Sequence, residues 1–132
     1  DFRAWDDRVS KAWKPPRDAQ FFQIVVPTID TERNEFNVNA LIMAGVPTLV
    51  IGQTGTGKTM IVKKVLSNLP ESHQALNLFF SAATTAGLTQ DIIEGSMEKR
   101  AKGKLGPTGG KRLVTFIDDL NMPQREVLNA KR

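Results

Sequence analysis

The stretch Gly52, Gln53, Thr54, Gly55, Thr56, Gly57, Lys58, Thr59 constrains this chain more than any other. It fits G-x-x-x-x-G-K-[ST], the phosphate-binding loop or Walker A pattern. Glycines let the backbone turn tightly and take positive φ. The loop N–H groups then face inward as a nest for phosphate oxygens. A helix starting near Lys58 adds the positive end of its dipole. In this reading Lys58 reaches the β- and γ-phosphates, and the Thr59 hydroxyl is a ligand for Mg²⁺, which prefers hard oxygen donors. The pattern's fixed positions match by chance at roughly one window in tens of thousands. The flanks strengthen it. Residues 48–51 are a short apolar run between Pro47 and Gly52, which predicts a buried parallel strand. Ile61, Val62, Val65, Leu66 and Leu69 follow at helical spacing, with Lys63, Lys64 and Ser67 on the other face.

The 132 residues suffice for one domain with a core. An apolar fraction of 40% and a charged fraction of 24% are ordinary for a globular chain. No apolar run approaches the length of a membrane span, and no signal peptide is visible. With no cysteine, disulfides and thiolate metal sites are excluded. The single histidine, His73, reads as a surface loop residue after Pro70 and gives no histidine metal site. The formal charge of +4 is spread along the chain, so no nucleic-acid partner is expected. Residues 99–104 are the one dense basic cluster, readable as a solvated helix end or as a surface for an acidic partner.

In chain order, residues 1–20 carry Trp5, Trp13 and the pair Pro15–Pro16, and read as a linker or the end of a preceding module whose tryptophans are packing residues. Residues 21–26 predict a strand stopped by Pro27. Asp30 or Thr31 is placed to cap a helix with Phe36, Ala40, Met43 and Ala44 on one face, ended by Gly45 and Pro47. Residues 76–81 predict the next strand. Thr84, Thr85 or Thr89 caps a further helix with Ile92, Ile93 and Met97 as its buried stripe. Asp91 and Glu94 lie early on that helix and Lys99, Arg100 and Lys102 late, as the helix dipole favours. Residues 103–110 read as a loop or hairpin.

Residues 113–117 form a third core strand that runs into Asp118 and Asp119. This is a Walker B pattern: an apolar strand delivers a carboxylate at its carboxyl end, where ligands bind in open α/β sheets. Asp118 is the expected Mg²⁺ holder, through water.

Three segments together resemble a known family: Val-Pro-Thr-Ile-Asp-Thr (26–31), the loop at 52–59, and Phe-Ile-Asp-Asp-Leu-Asn-Met-Pro (116–123). They are similar to the third AAA+ module of dynein heavy chains. The ending Asp-Asp-Leu-Asn-Met-Pro looks axonemal, as do residues 81–85, 98–103 and 109–112. The resemblance implies a P-loop NTPase (AAA+) α/β fold, a three-layer αβα sandwich on a parallel sheet. It implies ATP or ADP with Mg²⁺, held by Gly52, Gln53, Thr54, Gly55, Thr56, Gly57, Lys58 and Thr59, with Asp118 on the metal. The region from Ile24 to Ile29 would lie near the adenine. Implied partners are the other AAA+ modules of a motor ring, and microtubules only through the full heavy chain. The implied setting is the cytoplasm and cytoskeleton, at the ciliary axoneme, with the third module chiefly regulatory.

The sequence departs from the family pattern in three places. Gln53 stands where the family usually has proline, at a variable loop position. Asp119 stands where many AAA+ modules place Glu to orient the attacking water. It is one methylene shorter, so it is a weak candidate catalytic base. After Pro123 the pattern stops matching. The expectation is an incomplete module, without the sensor-1 strand, the fifth strand and the helical lid: residues 21–123 as a partial ATP-binding domain and 124–132 as a divergent tail. Little or no turnover is expected from such a piece alone. Two other readings stand beside it: a non-catalytic assembly piece with a vestigial nucleotide site, and an independent small P-loop kinase or GTPase. The second lacks an Asn-Lys-x-Asp guanine-reading motif.

Overall fold

The computed structural model of the chain describes residues 4–9, 13–15, 20 and 24–125. It divides into two compact units, Asp1–Asn68 and Leu69–Arg132.

The first unit holds a 3₁₀ turn, Trp5–Arg8, and two helices, α1 (Ile29–Ala44) and α2 (Lys58–Ser67). Thr28, not Asp30 or Thr31, is the N-cap of α1. Its Oγ1 accepts from Thr31 N at 3.2 Å, and Thr31 Oγ1 accepts from Thr28 N at 2.6 Å. Two hydroxyls three residues apart can satisfy each other's backbone donors, whereas Asp30 lies inside the helix and pairs with Arg33 at 2.7 Å. Gly45, at φ 70°, ends α1 in the left-handed conformation, and Val46 N returns to Leu41 O at 3.0 Å.

The buried position on α1 is Val38, with Thr31, Glu35 and Ile42 half-buried along the same stripe. The expected face was different, and Phe36 and Ala40 are exposed. Trp5 meets Phe36 edge-on with ring centroids 5.4 Å apart. The Arg8 guanidinium lies 4.7 Å from the Phe36 centroid. An aromatic at the edge of a helix stripe has thus found its own cover. On α2 the expected apolar face holds, with Val62, Val65 and Leu66 buried. Lys64 Nζ sits 2.6 Å from Glu35 Oε2 on α1.

Two strands were expected in this unit, and the described residues of both runs form none. Residues 46–53 have no regular structure, and Leu49, Val50 and Ile51 are 68%, 39% and 83% exposed. A strand exists only through its ladder, and no described residue of this unit pairs with the run. Ile24, Val25 and Val26 are likewise without regular structure, and residues 21–23 lie outside the described residues.

In the second unit β1 (His73–Phe79) pairs in parallel with β4 (Arg112–Asp118), from His73 opposite Arg112 to Phe79 opposite Asp118. β4 exceeds the expected strand by one residue at each end. β1 begins three residues earlier than expected and stops at Phe79, so His73 is a strand residue and not a surface loop residue. Its Nδ1 lies 3.0 Å from Ser72 Oγ, while Nε2 is buried without a hydrogen-bond partner. Arg112 N bonds to Ser72 O at 2.9 Å, which starts the ladder before the apolar run does. Leu78 is the buried apolar residue of this sheet, at 4% exposure.

Between these strands lies α3 (Ala86–Gly95), capped by Thr85, whose Oγ1 accepts from Leu88 N at 3.2 Å. Thr89 and Ile93 are half-buried, whereas Ile92 is 44% exposed. The helix is shorter than expected. Ser96 closes it, donating Oγ to Ile93 O at 2.7 Å. Lys99, Arg100 and Lys102 therefore do not sit on a helix end. They belong to an antiparallel hairpin, β2 (Met97–Ala101) with β3 (Lys104–Pro107), turned at Gly103 with φ 73°. A 3₁₀ turn, Thr108–Gly110, leads on to β4. The molecule is a small α/β fold with a two-stranded parallel sheet, consistent with an incomplete AAA+ fold.

Candidate functional site

The loop at 52–59 is built by contacts local in sequence. Gly55 and Gly57 have φ of 81° and 78°, and Gly57 is the N-cap of α2. An L-residue there would carry the left-handed penalty. At Gly52 a Cβ would meet Thr56 Oγ1 at 3.3 Å and Lys58 Cδ at 3.4 Å, so the loop closes tightly over this glycine. Thr56 Oγ1 donates to Gln53 O at 2.9 Å. Lys58 Nζ donates to Gly52 O at 2.9 Å and to Gln53 O at 2.7 Å. Lys58 and Thr59 are half-buried, while residues 52–57 are exposed.

The helix ends differ in a telling way. Thr28 caps α1 and Thr85 caps α3, but no side chain caps α2. The first N–H groups of a helix have no intrahelical partner. At α2 they open on an exposed glycine loop beside a lysine, an arrangement suited to a phosphate. Gln53 contributes through its carbonyl, which explains why a loop position can differ in side chain and keep its part. That double acceptor role was missed from the sequence, because carbonyl direction has no side-chain signal.

The two aspartates lie in the second unit. Asp118 is the last residue of β4, half-buried, and its carbonyl accepts from Phe80 N at 3.1 Å. Asp119 is exposed and has φ 55°, the one non-glycine residue with positive φ among those described. Its carbonyl accepts from Met122 N at 2.9 Å, closing a tight turn. Asp tolerates this backbone better than most residues. The structure therefore gathers Gly52 to Thr59 in one loop and helix end, and Asp118 with Asp119 at one strand end. Among the described residues no group of three or more His, Cys, Asp or Glu could hold a metal ion. The hard-oxygen donors of the motifs are Thr59 and Asp118.

The glycine loop that opens an uncapped helix and the carboxylate at a strand end are, each by itself, the two sequence patterns of the P-loop α/β class. Residues 13–132 match the family described as the P-loop containing dynein motor region, and the chain belongs to that family. It is 50% identical over 123 residues to the Chlamydomonas reinhardtii Dynein-1-beta heavy chain, flagellar inner arm I1 complex, covering 92% of this chain and 3% of the relative. It is 43% identical over 133 residues to Dynein axonemal heavy chain 2 of Homo sapiens, covering 98% of this chain and 3% of the relative. Dynein axonemal heavy chain 1 of Rattus norvegicus is 45% identical over 115 residues, covering 86% of this chain and 2% of the relative. The chain thus spans about 3% of the length of these relatives. The resemblance read from residues 26–31, 52–59 and 116–123 is borne out as axonemal-type dynein heavy chain.

Proposed function

We propose that this chain is the nucleotide-binding part of an axonemal dynein motor region, equivalent to the third AAA+ module. The observation that carries the reading is the uncapped N-terminus of α2 behind a glycine loop with Lys58 folded onto it. Residues 52–59 hold the phosphates of ATP or ADP. Their N–H groups and the α2 terminus supply positive potential, and the Lys58 ammonium exchanges the Gly52 and Gln53 carbonyls for phosphate oxygens. Thr59 and Asp118 are the residues that would each supply an oxygen to Mg²⁺, which would neutralise phosphate charge. Asp119 is a weak candidate base for orienting the attacking water, being one methylene shorter than Glu, and little or no turnover is expected from this chain alone.

Residues 1–20 act as a linker or the end of a preceding module, 21–123 as the ATP-binding domain, and 124–132 as a tail. The other modules of the ring are the partners, and microtubules are engaged only through the full heavy chain. The setting is the ciliary axoneme, within the cytoplasm and cytoskeleton; the relatives' names, flagellar inner arm and axonemal dynein, support the axonemal part. A second reading is favoured by the bare run at Leu49 and Ile51: an assembly piece that docks on neighbouring modules and does not use nucleotide.

Titration of fluorescent ATP with Mg²⁺ into the chain, beside Lys58→Ala, separates the two. Binding that weakens about tenfold or more, a difference of roughly 1.4 kcal/mol, supports the nucleotide reading. Equal affinity of the two chains, or no binding by a chain that melts cooperatively, supports the assembly reading. Steady ATP turnover lost in Lys58→Ala would contradict the expectation of little turnover.

A further inference from the structure

The most concentrated charge in the molecule lies outside the nucleotide motifs. Residues 97–112 contain Lys99, Arg100, Lys102, Lys104, Lys111 and Arg112 against the single carboxylate of Glu98. The hairpin spends one of these cations on itself. Arg100 Nη2 donates to Pro107 O, and its side chain covers Gly106, where a Cβ would lie 2.6 Å from Nε. Glu98 Oε1 lies 3.9 Å from Arg100 and accepts from Gly109 N at 3.2 Å. Glu98 stands opposite Gly106 in the register, so on this face Glu98 and Arg100 offset each other and Arg100 covers the strand at Gly106.

The other face is open. Lys99 stands opposite Leu105 and Met97 opposite Pro107, and directly opposed residues share a face. Leu105 is 43% exposed. Lys102 and Lys104 flank the turn. Among the described residues, none of Lys99, Lys102, Lys104, Lys111 and Arg112 forms an ion pair. The sheet has two strands, so each keeps an unpaired edge among the described residues. An edge of this kind accepts an added extended segment, and its lysines discourage apolar or basic ones.

We propose that the open face and tip of the β2–β3 hairpin form a docking surface for an acidic polypeptide segment in extended conformation, whose carboxylates and apolar side chains lie together on the face turned to the hairpin. Lysines Lys99, Lys102 and Lys104 meet the carboxylates, and Leu105 and Met97 meet the apolar side chains. Charge complementarity selects the partner and sets the encounter rate. A nucleic acid is the poorer fit. Residues 97–112 hold no aromatic side chain on which a base could stack, and Arg100, suited to bidentate phosphate contact, is already engaged.

The test is fluorescence anisotropy with the full chain and a short labelled peptide of repeating Glu-Ser-Val-Ser, which when extended presents Glu and Val on one face, at ionic strength of about 0.15 M, where surface charge is screened beyond roughly 8 Å. Lys99→Glu/Lys104→Glu weakens peptide binding about tenfold or more, while Lys14→Glu/Arg125→Glu, with the same change in net charge, alters it less than about twofold. Thermal melts of both variants confirm folding, and Lys99→Gln/Lys104→Gln replaces the reversal if that variant does not fold. Leu105→Asn weakens the peptide without changing the salt dependence. Three results would overturn the proposal: no binding of the peptide, equal losses in the hairpin and control variants, or a single-stranded oligonucleotide that binds as tightly as the peptide.

Discussion

Residues 48–51 and 113–117 are much alike as sequence: short, apolar, rich in β-branched side chains, each delivering functional groups at its carboxyl end. In the structure they part company. Leu113, Val114, Phe116 and Ile117 are half-buried in β4 and paired in parallel with β1. Leu49 and Ile51 are largely exposed and carry no ladder. The contrast shows that an apolar run records a need for neighbours, which only neighbours can meet. It also shows what does not depend on them. The loop after the bare run keeps its positive-φ glycines and its Lys58 contacts, because these close over a few residues. The aspartates at the end of β4 depend on a ladder with a strand distant in sequence.

The sharpest way to break this comparison is a matched pair of truncations. Leu78→Ala, in the paired sheet, is expected to cost about 3 kcal/mol, within the usual range for a buried leucine. Ile51→Ala, at 83% exposure, is expected to change stability by less than about 0.5 kcal/mol. Denaturant midpoints of the two variants decide it. Equal losses would mean that the run at 48–51 is buried in solution.

Gly57→Ala comes next. The φ of 78° makes a Cβ unfavourable, so a cost of about 1–2 kcal/mol is expected, together with loss of nucleotide binding. Retained affinity would mean that the loop conformation is not what binds phosphate. Asp119 gives a smaller effect and a clearer sign. Its φ of 55° suits Asp and Asn, so Asp119→Asn should be near neutral in a thermal melt, whereas Asp119→Glu should lose about 1 kcal/mol. A Glu variant as stable as the parent would remove the backbone as a reason for aspartate at this position. The smallest effect is expected for Lys64→Met, which breaks the pair with Glu35. The partners are 39% and 24% exposed, and the loss should stay below about 1 kcal/mol. A larger loss in thermal melts would show that the pair, rather than Val38, Val62, Val65 and Leu66, holds α1 to α2.

The motifs were legible because they are local and chemically narrow. Gly55, Gly57, Lys58 and Thr59 announce a turn and an anion site through residue type alone, and the run into Asp118 announces a strand end. The helix over 58–67 was legible from periodicity. The capping of α1 was not, because Thr28, Asp30 and Thr31 are all competent caps and only the completed hydrogen-bond pair selects Thr28. The basic residues after Gly95 suited a helix C-terminus by charge. The hairpin won because Arg100 could lie over Gly106 and reach Pro107 O.

By itself the sequence determined the phosphate-binding loop, the acid pair at a strand end and membership of the dynein motor region, since each depends on residue identity at fixed spacing. Tertiary structure alone decided which apolar runs became strands, which face of α1 was buried, and that residues 97–107 form a charged hairpin. The parallel strands and the buried stripe rest on partners far apart in the chain and the hairpin on a cross-strand clamp, and each lowers the free energy only when both sides are present.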